Sequence, residues 1–516
     1  MTDGSAQRLA ATLPGPVDMR ETHGAWVLLT GDRALKVRKP VRLPYLDYST
    51  PERRLAAGLA EVELNAPLAP GIYLGVRALV EAPAGLVLGP RVEASAGHAL
   101  GPRAAVPVPG AVEYAVEMRR FDEDRTMAAL CDTGTLTVDQ VDVVGVRIAA
   151  FHAGAAACPG GGAAPFARRV QADVAEIADL AGERADVDAG ALRAFADGAL
   201  RSLGPELDRR AEAGLRRDGH GDLRAEHVVL DADGPLLVDR LEFDRELRCT
   251  DVAADLAFLL MDLELHDARW AADRLVATYE RAQGDPGTPR LRALLGWQRA
   301  MVRAKIALLR EREEELSRLL ALADRLAWRV RAPVVLLVAG PPASGKSTLA
   351  AQLAERTGLP VVATDPLRKA LHGAAPTDRL GPEAYTEQAT AEVYAEAGRR
   401  AARIAAQHGG AIVDATSRSR AVRRLLLREL GGAAPVVAAV CAARPDVVRE
   451  RARRRLEDPG RVSDADPEVA ARLAAGFEPL DGDPELDLVV HVRTDAPGAG
   501  ALGELAAALD RWPGQG

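Results

Sequence analysis

"VVLLVAGPPASGKSTLA", residues 334–350, runs from an uninterrupted apolar stretch through a glycine-bounded turn into a helix-forming segment. Within it Gly340, four further residues and Gly345-Lys346-Ser347 have the spacing of a phosphate-holding loop, completed by Ser344 and Thr348. The physical need is specific. Glycines let successive backbone N–H groups turn inward, Lys346 reaches the outer phosphates, Ser347 offers a hydroxyl to Mg²⁺, and the following helix adds positive potential at its N-terminus. Leu349 and Leu353 place an apolar face on that helix. Outward from this point, "PVVAT", "AIVDAT", "PVVAAVCA" and "LDLVVHVRT" alternate with helical segments, which predicts a parallel sheet wrapped by helices.

Asp365 falls at the end of the next predicted strand, where open α/β sheets bind ligands, with Arg368 and Lys369 one turn on. An acid there can accept or orient a hydroxyl proton, and the arginine can hold an anionic acceptor or the transferring phosphoryl group; helix capping is the plainer role for Asp365. Asp414 in "AIVDAT" is the candidate acid for the magnesium shell. "RERARRRLEDPGR", residues 449–461, has the charge of a lid that closes over phosphates, although Arg453 to Arg455 cannot all face one site. Residues 333 to 500 resemble the P-loop small-molecule and polynucleotide kinases, including gluconate kinase-like, zeta-toxin-like and phage polynucleotide kinase-like enzymes, whose D-x-x-R matches Asp365 and Arg368.

A composition shift at Ala332-Pro333 predicts a domain boundary near residue 331, so that residues 332–516 form the P-loop unit. Upstream, "WVLLTGDRALKVRKPV" reads as a hairpin turning at Thr30-Gly31-Asp32. A helix follows, with Thr50 as cap, Pro51 at its first position and Leu55, Leu59 and Val62 on one stripe. "VEYAVEMRRF" is a further strand. From about residue 136 the pattern becomes mostly helical, broken by "ACPGGGAAP" and the strand-like pair "HVVLD" and "LLVDRLEF". The expected organisation is a β-rich lobe, residues 1–120, and a helical lobe, residues 121–331.

"HGDLRAEHVVLDADGPLLVDRLEFD", residues 220–244, spaces Asp222, His227 and Asp239 as a catalytic acid, a second ligand five residues later and a metal-binding acid on the next hairpin. Lys36 in "ALKV" is the expected partner of the inner phosphates, and an acid on the following helix should lock it. Glu61 and Glu63 both compete, the helical wheel placing Glu63 nearer the apolar stripe.

Together with "LAEVELNAPLAPGIYLGV", "YAVEMRRF", "VDRLEFDRELRCTDVAADLAFLLMDL" and "VRAKIAL", this region resembles the aminoglycoside phosphotransferase-like kinases. More narrowly, it resembles the bacterial bifunctional proteins in which such a domain is fused to a P-loop ATPase or kinase. The resemblance implies an α+β kinase-like bilobal domain followed by an α/β P-loop kinase domain. It favours Glu61 as the partner of Lys36, and it implies a hinge after Glu117 and Met118 whose backbone reads adenine. Asp251 and Asp255 would brace the catalytic loop, with helix capping as their alternative. Two departures stand out: Arg224 and His227 occupy places where many such kinases have His and Asn. A neutral imidazole suits Mg²⁺ less well than an amide oxygen. An active first site and a nucleotide- or substrate-sensing pseudokinase therefore both remain open.

A formal net charge of −8 argues against a role coating nucleic acid. Only five of 66 basic residues are lysines, which makes Lys36 and Lys346 conspicuous, since a compact ammonium suits a phosphate in a tight loop better than a planar guanidinium. Cys131, Cys158, Cys249 and Cys441 lie far apart, suggesting neither a disulfide framework nor a zinc site, and a reducing cytoplasm fits. No stretch approaches the ~20 apolar residues that would address a membrane. The expected activity is ATP- and Mg²⁺-dependent phosphoryl transfer to a hydroxyl of a small molecule, with a nucleic-acid end less favoured. The rival is a regulatory ATP-binding protein. The acids of "LMDLELHD", Asp262, Glu264 and Asp267, read either as an exposed helical face or as an acceptor pocket.

Overall fold

The computed structural model describes residues 4–22, 24–43, 46–92, 107–184, 186–282, 284–331, 334–375, 377–432, 434–457, 475–495 and 500–515. The chain forms two compact units, Met1–Gly162 with Asp208–Gly287, and Ala163–Leu207 with Thr288–Gly516.

The first unit is an α+β fold. Its antiparallel sheet has six strands in the order Asp18–Glu21, Ala25–Thr30, Arg33–Arg38, Ala111–Arg119, Tyr73–Ala82 and Gly85–Arg91. Alternation along Arg33–Arg38 sorts the side chains: Leu35 and Val37 enter one core with Trp26, Leu28, Leu79 and Leu86, so Lys36 and Arg38 face the other side. That other side is covered by the helix Pro51–Asn65. Its cap is as expected, with Thr50 accepting from the Arg53 amide and Pro51 leading. The hairpin Val228–Asp231 with Gly234–Leu237 shares this second core through Val229, Leu236 and Val238, against Leu55, Val76 and Val116. Packing thus delivers the residue after Val238, Asp239, to the Lys36 face of the sheet. The helices Val138–Gly154, Val252–Leu265 and Arg269–Arg281 build a third core around Ile148, Leu256, Leu259 and Leu275.

The second unit is an α/β P-loop fold. All five strands are parallel, in the order Val361–Ala363, Ala411–Asp414, Val335–Ala339, Val436–Ala442 and Leu488–Arg493. The central strand is buried on both faces, Val335 and Leu337 facing one core and Leu336 and Val338 the other, which explains its unbroken apolar sequence. The helices Pro289–Leu309 and Glu313–Arg331 belong to this unit, so its limits differ from the boundary expected near 331. The reason is packing: Trp328 lies in the core of the parallel sheet, and Arg331 makes a buried two-bond ion pair with Asp510. No helix among the described residues is long and apolar enough to cross a membrane.

Candidate functional site

In the first unit the sheet, the helix and the hairpin bring Lys36, Glu61 and Asp239 together. Lys36 Nζ donates to Glu61 Oε1 at 2.9 Å and to Asp239 Oδ1 at 3.0 Å. Glu61 is wholly buried whereas Glu63 is exposed, so the structure resolves the competition for Lys36 in favour of Glu61. Burial alone would lower the Lys36 ammonium, but Asp239, Glu61 and Glu242 together raise it well above its ordinary value. Lys36 in turn holds the Asp239 carboxyl far below the usual range, against the opposing effect of burial. Asp239 has φ +59°, a left-handed conformation that aspartate tolerates better than most residues, and its amide donates to Tyr73 Oη at 3.0 Å.

Sequence reasoning missed a second cation here. Arg38 also binds Glu61 and donates to Glu242 Oε1 at 2.8 Å, which accepts from Tyr48 Oη at 2.8 Å as well. Two residues from Lys36 on one strand, Arg38 had to share its face; that alternation was the available signal. Glu242, three residues past Asp239, had no comparable signal, because its partner lies 204 positions away in sequence.

The loop His220–Asp222 is held from beneath. Asp255 accepts from the His220 amide and, at 2.8 Å, from the Gly221 amide, while Arg248 O accepts from the Gly219 amide at 3.0 Å. Asp255 therefore braces the loop. Asp251 instead caps its helix through the Ala253 amide and pairs with Arg210. Burial disfavours charge on Asp255, but its bonds to His152 and His220 outweigh this and bring its carboxyl to about 2. His220, fully buried, is pushed down to about 4 by desolvation, so it is neutral at pH 7. Its Nε2 donates to Val238 O at 3.0 Å. Asp262 is also buried and accepts from the Ala225 amide at 2.9 Å, so this acid supports the loop rather than belonging to an exposed face.

Asp222 and His227 reach the same place. His227 Nδ1 donates to Asp222 O at 2.7 Å, which turns Nε2 toward Asp239 Oδ2, 3.7 Å away. Arg224 makes a forked pair with Asp222, both bonds 3.1 Å, and also binds Glu226. Burial would raise the Asp222 carboxyl, but Arg224 and His227 lower it overall. The donor set fits Mg²⁺ held chiefly by the Asp239 carboxylate and phosphate oxygens, since this ion prefers one or two carboxylates with substrate and water; the His227 nitrogen is the softer neighbour. Among the described residues no three His, Cys, Asp or Glu side chains are arranged to hold a metal on their own. Glu117 lies on the strand Ala111–Arg119, its carboxylate among Arg33, Arg77 and Arg91 at 3.2–3.7 Å, with Met118 next to it.

In the second unit the turn between Val335–Ala339 and the helix Lys346–Thr357 forms the phosphate-holding cradle. Gly340 has φ +141°, and a Cβ there would stand 2.7 Å from Cys441 O and 2.9 Å from Ser344 Oγ. Gly345 has φ +95°, and a Cβ would meet Thr494 at 2.9 Å. Glycine is required at both on conformation and on space. Ser344 Oγ is buried without a hydrogen-bond partner, an unsatisfied group lining the cradle. Lys346 Nζ donates to Pro341 O at 3.0 Å, and Ser347 and Thr348 are exposed at the helix start. Asp414 ends its strand in register with Val338 on one side and Ala363 on the other.

Asp365 lies in the first turn of the helix Thr364–Leu371, exposed; the helix has no side-chain cap, so capping is not its role. Arg368 is buried, donating to Ala384 O at 2.6 Å with its guanidinium 4.9 Å from the Tyr385 ring centre, while its Nε has no partner. Among the described residues of the 449–461 cluster, Arg451 meets the cradle. It bonds Thr494 Oγ1 at 3.2 Å and Thr494 O at 2.7 Å, and Thr494 in turn donates to Ser344 O at 2.5 Å. Arg453 and Arg454 are exposed; residues 458–461 of the cluster lie outside the described residues.

A family model described as an AAA domain matches residues 335–480. The uncharacterized protein Rv2004c of Mycobacterium tuberculosis and the uncharacterized protein Mb2027c of Mycobacterium bovis are each 32% identical over 491 residues, 92% of this chain and 92% of theirs. Among solved structures, a gluconokinase from Sinorhizobium meliloti matches with TM-score 0.26 and 24% identity, over 35% of this chain and 94% of its own. A choline/ethanolamine kinase family protein from Mesorhizobium loti matches with TM-score 0.34 and 14% identity, over 62% of this chain and 98% of its own.

Proposed function

The chain belongs to the family of these mycobacterial proteins, and we propose that it is an ATP-dependent phosphotransferase with two kinase-type sites, the P-loop unit passing the γ-phosphoryl group of ATP to a hydroxyl of a small molecule. The observation that carries this reading is the cradle itself. A turn whose two glycines admit no Cβ, with an unsatisfied buried hydroxyl inside it, opens at the head of a helix beside the strand-end acid Asp414.

In this reading backbone N–H groups of 340–346 hold the β-phosphate, and Lys346 leaves Pro341 O for the outer phosphates. Ser347 and Asp414 would hold Mg²⁺, which when bound would neutralise charge on the phosphates. Asp365 orients the acceptor hydroxyl and takes its proton as the oxygen bonds to the γ-phosphorus and the bond to the β-bridging oxygen breaks. Arg368, fixed by Ala384 and Tyr385, presents positive charge to an anionic group of the acceptor or to the phosphoryl group in flight. Positioning and charge neutralisation are sufficient for this chemistry.

For the first unit, Lys36 is the ligand for inner phosphates, Asp239 with His227 the metal-side pair, Asp222 the acid facing the acceptor, and the Glu117–Met118 backbone the adenine hinge. One observation favours a second reading, in which this site binds nucleotide as a regulatory pseudokinase: Asp222 is already engaged by two of the guanidinium nitrogens of Arg224, Nε and Nη2.

The test is acceptor-dependent ATP consumption by the full chain, with sugars, sugar acids, polyols, nucleosides and a 5′-hydroxyl oligonucleotide offered in turn, and with Lys346→Ala and Asp222→Asn as controls. Stimulation by one acceptor class, lost in Lys346→Ala, supports transfer by the P-loop unit. A basal ATPase rate that no acceptor changes supports the regulatory reading instead.

A further inference from the structure

Cys158 and Cys249 are joined by a disulfide that spans 91 positions of sequence, a bond that their wide spacing did not suggest. Its location matters more than its existence. Cys158 lies in the glycine-rich loop after the helix Val138–Gly154, and its amide donates to Arg216 O at 3.0 Å. Cys249 stands opposite Asp218 in the short two-stranded ribbon Arg216–Asp218 and Cys249–Asp251. The ribbon leads directly into Gly219-His220-Gly221-Asp222. Arg248, the neighbour of Cys249, gives its carbonyl to the Gly219 amide, donates to Asp218 Oδ1 at 2.8 Å and to Leu241 O at 2.8 Å, and lies close against Gly221. Six residues past Cys249, Asp255 takes the amides of His220 and Gly221. Arg216 bridges both ends of the covalent link, donating to Cys249 O at 2.9 Å and to Pro159 O.

We propose that the Cys158–Cys249 pair is a thiol–disulfide exchange site that fastens the support of the His220–Asp222 loop when oxidised and loosens it when reduced, with a small dithiol as its redox partner. The inference rests on this loop being the working loop of the first unit's nucleotide site. A thiolate of the dithiol attacks one sulfur, the S–S bond breaks, and a mixed disulfide forms. The second thiol of the reductant then closes its own ring and frees the remaining cysteine. Two electrons pass from the dithiol to the protein, and its two protons end on Cys158 and Cys249. Arg245 Nη2, 3.9 Å from Cys158 Sγ, favours that sulfur as the one that leaves as thiolate. The other two cysteines are free thiols, and burial pushes Cys131 up to about 11 and Cys441 up to about 12.

The experiment uses the full chain, mildly oxidised or reduced with dithiothreitol, with differential alkylation to assign each cysteine and hydrogen exchange read by mass spectrometry. Reduction is expected to raise exchange in 216–222 and 245–251 about tenfold, leaving 340–348 unchanged. Cys158→Ser should exchange like reduced protein with or without reductant, and Cys131→Ser like the parent. Failure of Cys158 and Cys249 to bond on oxidation, or unchanged exchange in 216–222 on reduction, overturns the proposal. MgATP affinity in Lys346→Ala is measured alongside. If that variant binds no nucleotide in either redox state, the kinase reading of the first unit fails, while the exchange data still decide the redox inference.

Discussion

Acidification from pH 7 to pH 5 should weaken the first unit through one residue, His220. Its imidazole is fully buried and stays neutral down to about pH 4, whereas in the unfolded chain it takes up a proton near its ordinary 6.5. Above pH 6.5 both states are neutral and this contribution to stability is fully present. Below it the unfolded state gains protons that the folded state does not, so stability falls until pH 4 and then levels. Each tenfold difference in proton affinity is worth about 1.4 kcal/mol. The whole loss is then about 3 kcal/mol, of which about 2 kcal/mol is reached by pH 5. Asp255, with a carboxyl at about 2, contributes below this window rather than in it. His220→Gln keeps a nitrogen able to donate to Val238 O but cannot titrate. Urea unfolding of parent and variant at pH 7, 6 and 5, followed by tryptophan fluorescence, should show the parent losing about 2 kcal/mol more than the variant across that range. Parallel loss in the two proteins would refute the buried neutral histidine and the loop geometry built on it.

Glu61→Gln removes the carboxylate shared by Lys36 and Arg38. Breaking a buried ion pair on one side costs about 3–5 kcal/mol, so the first unit should melt at markedly lower temperature by calorimetry and lose MgATP binding. Asp365→Asn should lower the acceptor-dependent rate about 10²–10⁴-fold with KM for ATP little changed, because Asp365 lies on the helix after the second strand and not in the ATP cradle; a purely structural role would instead appear as a lower melting temperature.

Local signals carried much of this architecture. The cradle 340–348, the five parallel strands, the cap at Thr50 and the hairpin ahead of Lys36 each depend on residues within a few positions of one another, where spacing and turn chemistry speak directly. What the sequence left hidden was long-range. Arg38 with Glu242, Arg331 with Asp510, and Cys158 with Cys249 pair across 91 to 204 positions, and no short motif encodes such a meeting. Asp262 was ambiguous for a different reason: on a helix buried almost all round, an acid takes its role from the backbone amide it faces, here that of Ala225. The choice between Glu61 and Glu63 likewise turned on which face of the helix the sheet covers, which the apolar stripe alone misplaced.

Calorimetric titration of MgATP counts the working nucleotide sites in the chain. The full chain should bind two equivalents, Lys346→Ala should lose the one held by the glycine cradle, and Asp239→Ala should lose the one held against Lys36. A single equivalent, abolished by Lys346→Ala and untouched by Asp239→Ala, would leave the first unit without a nucleotide role.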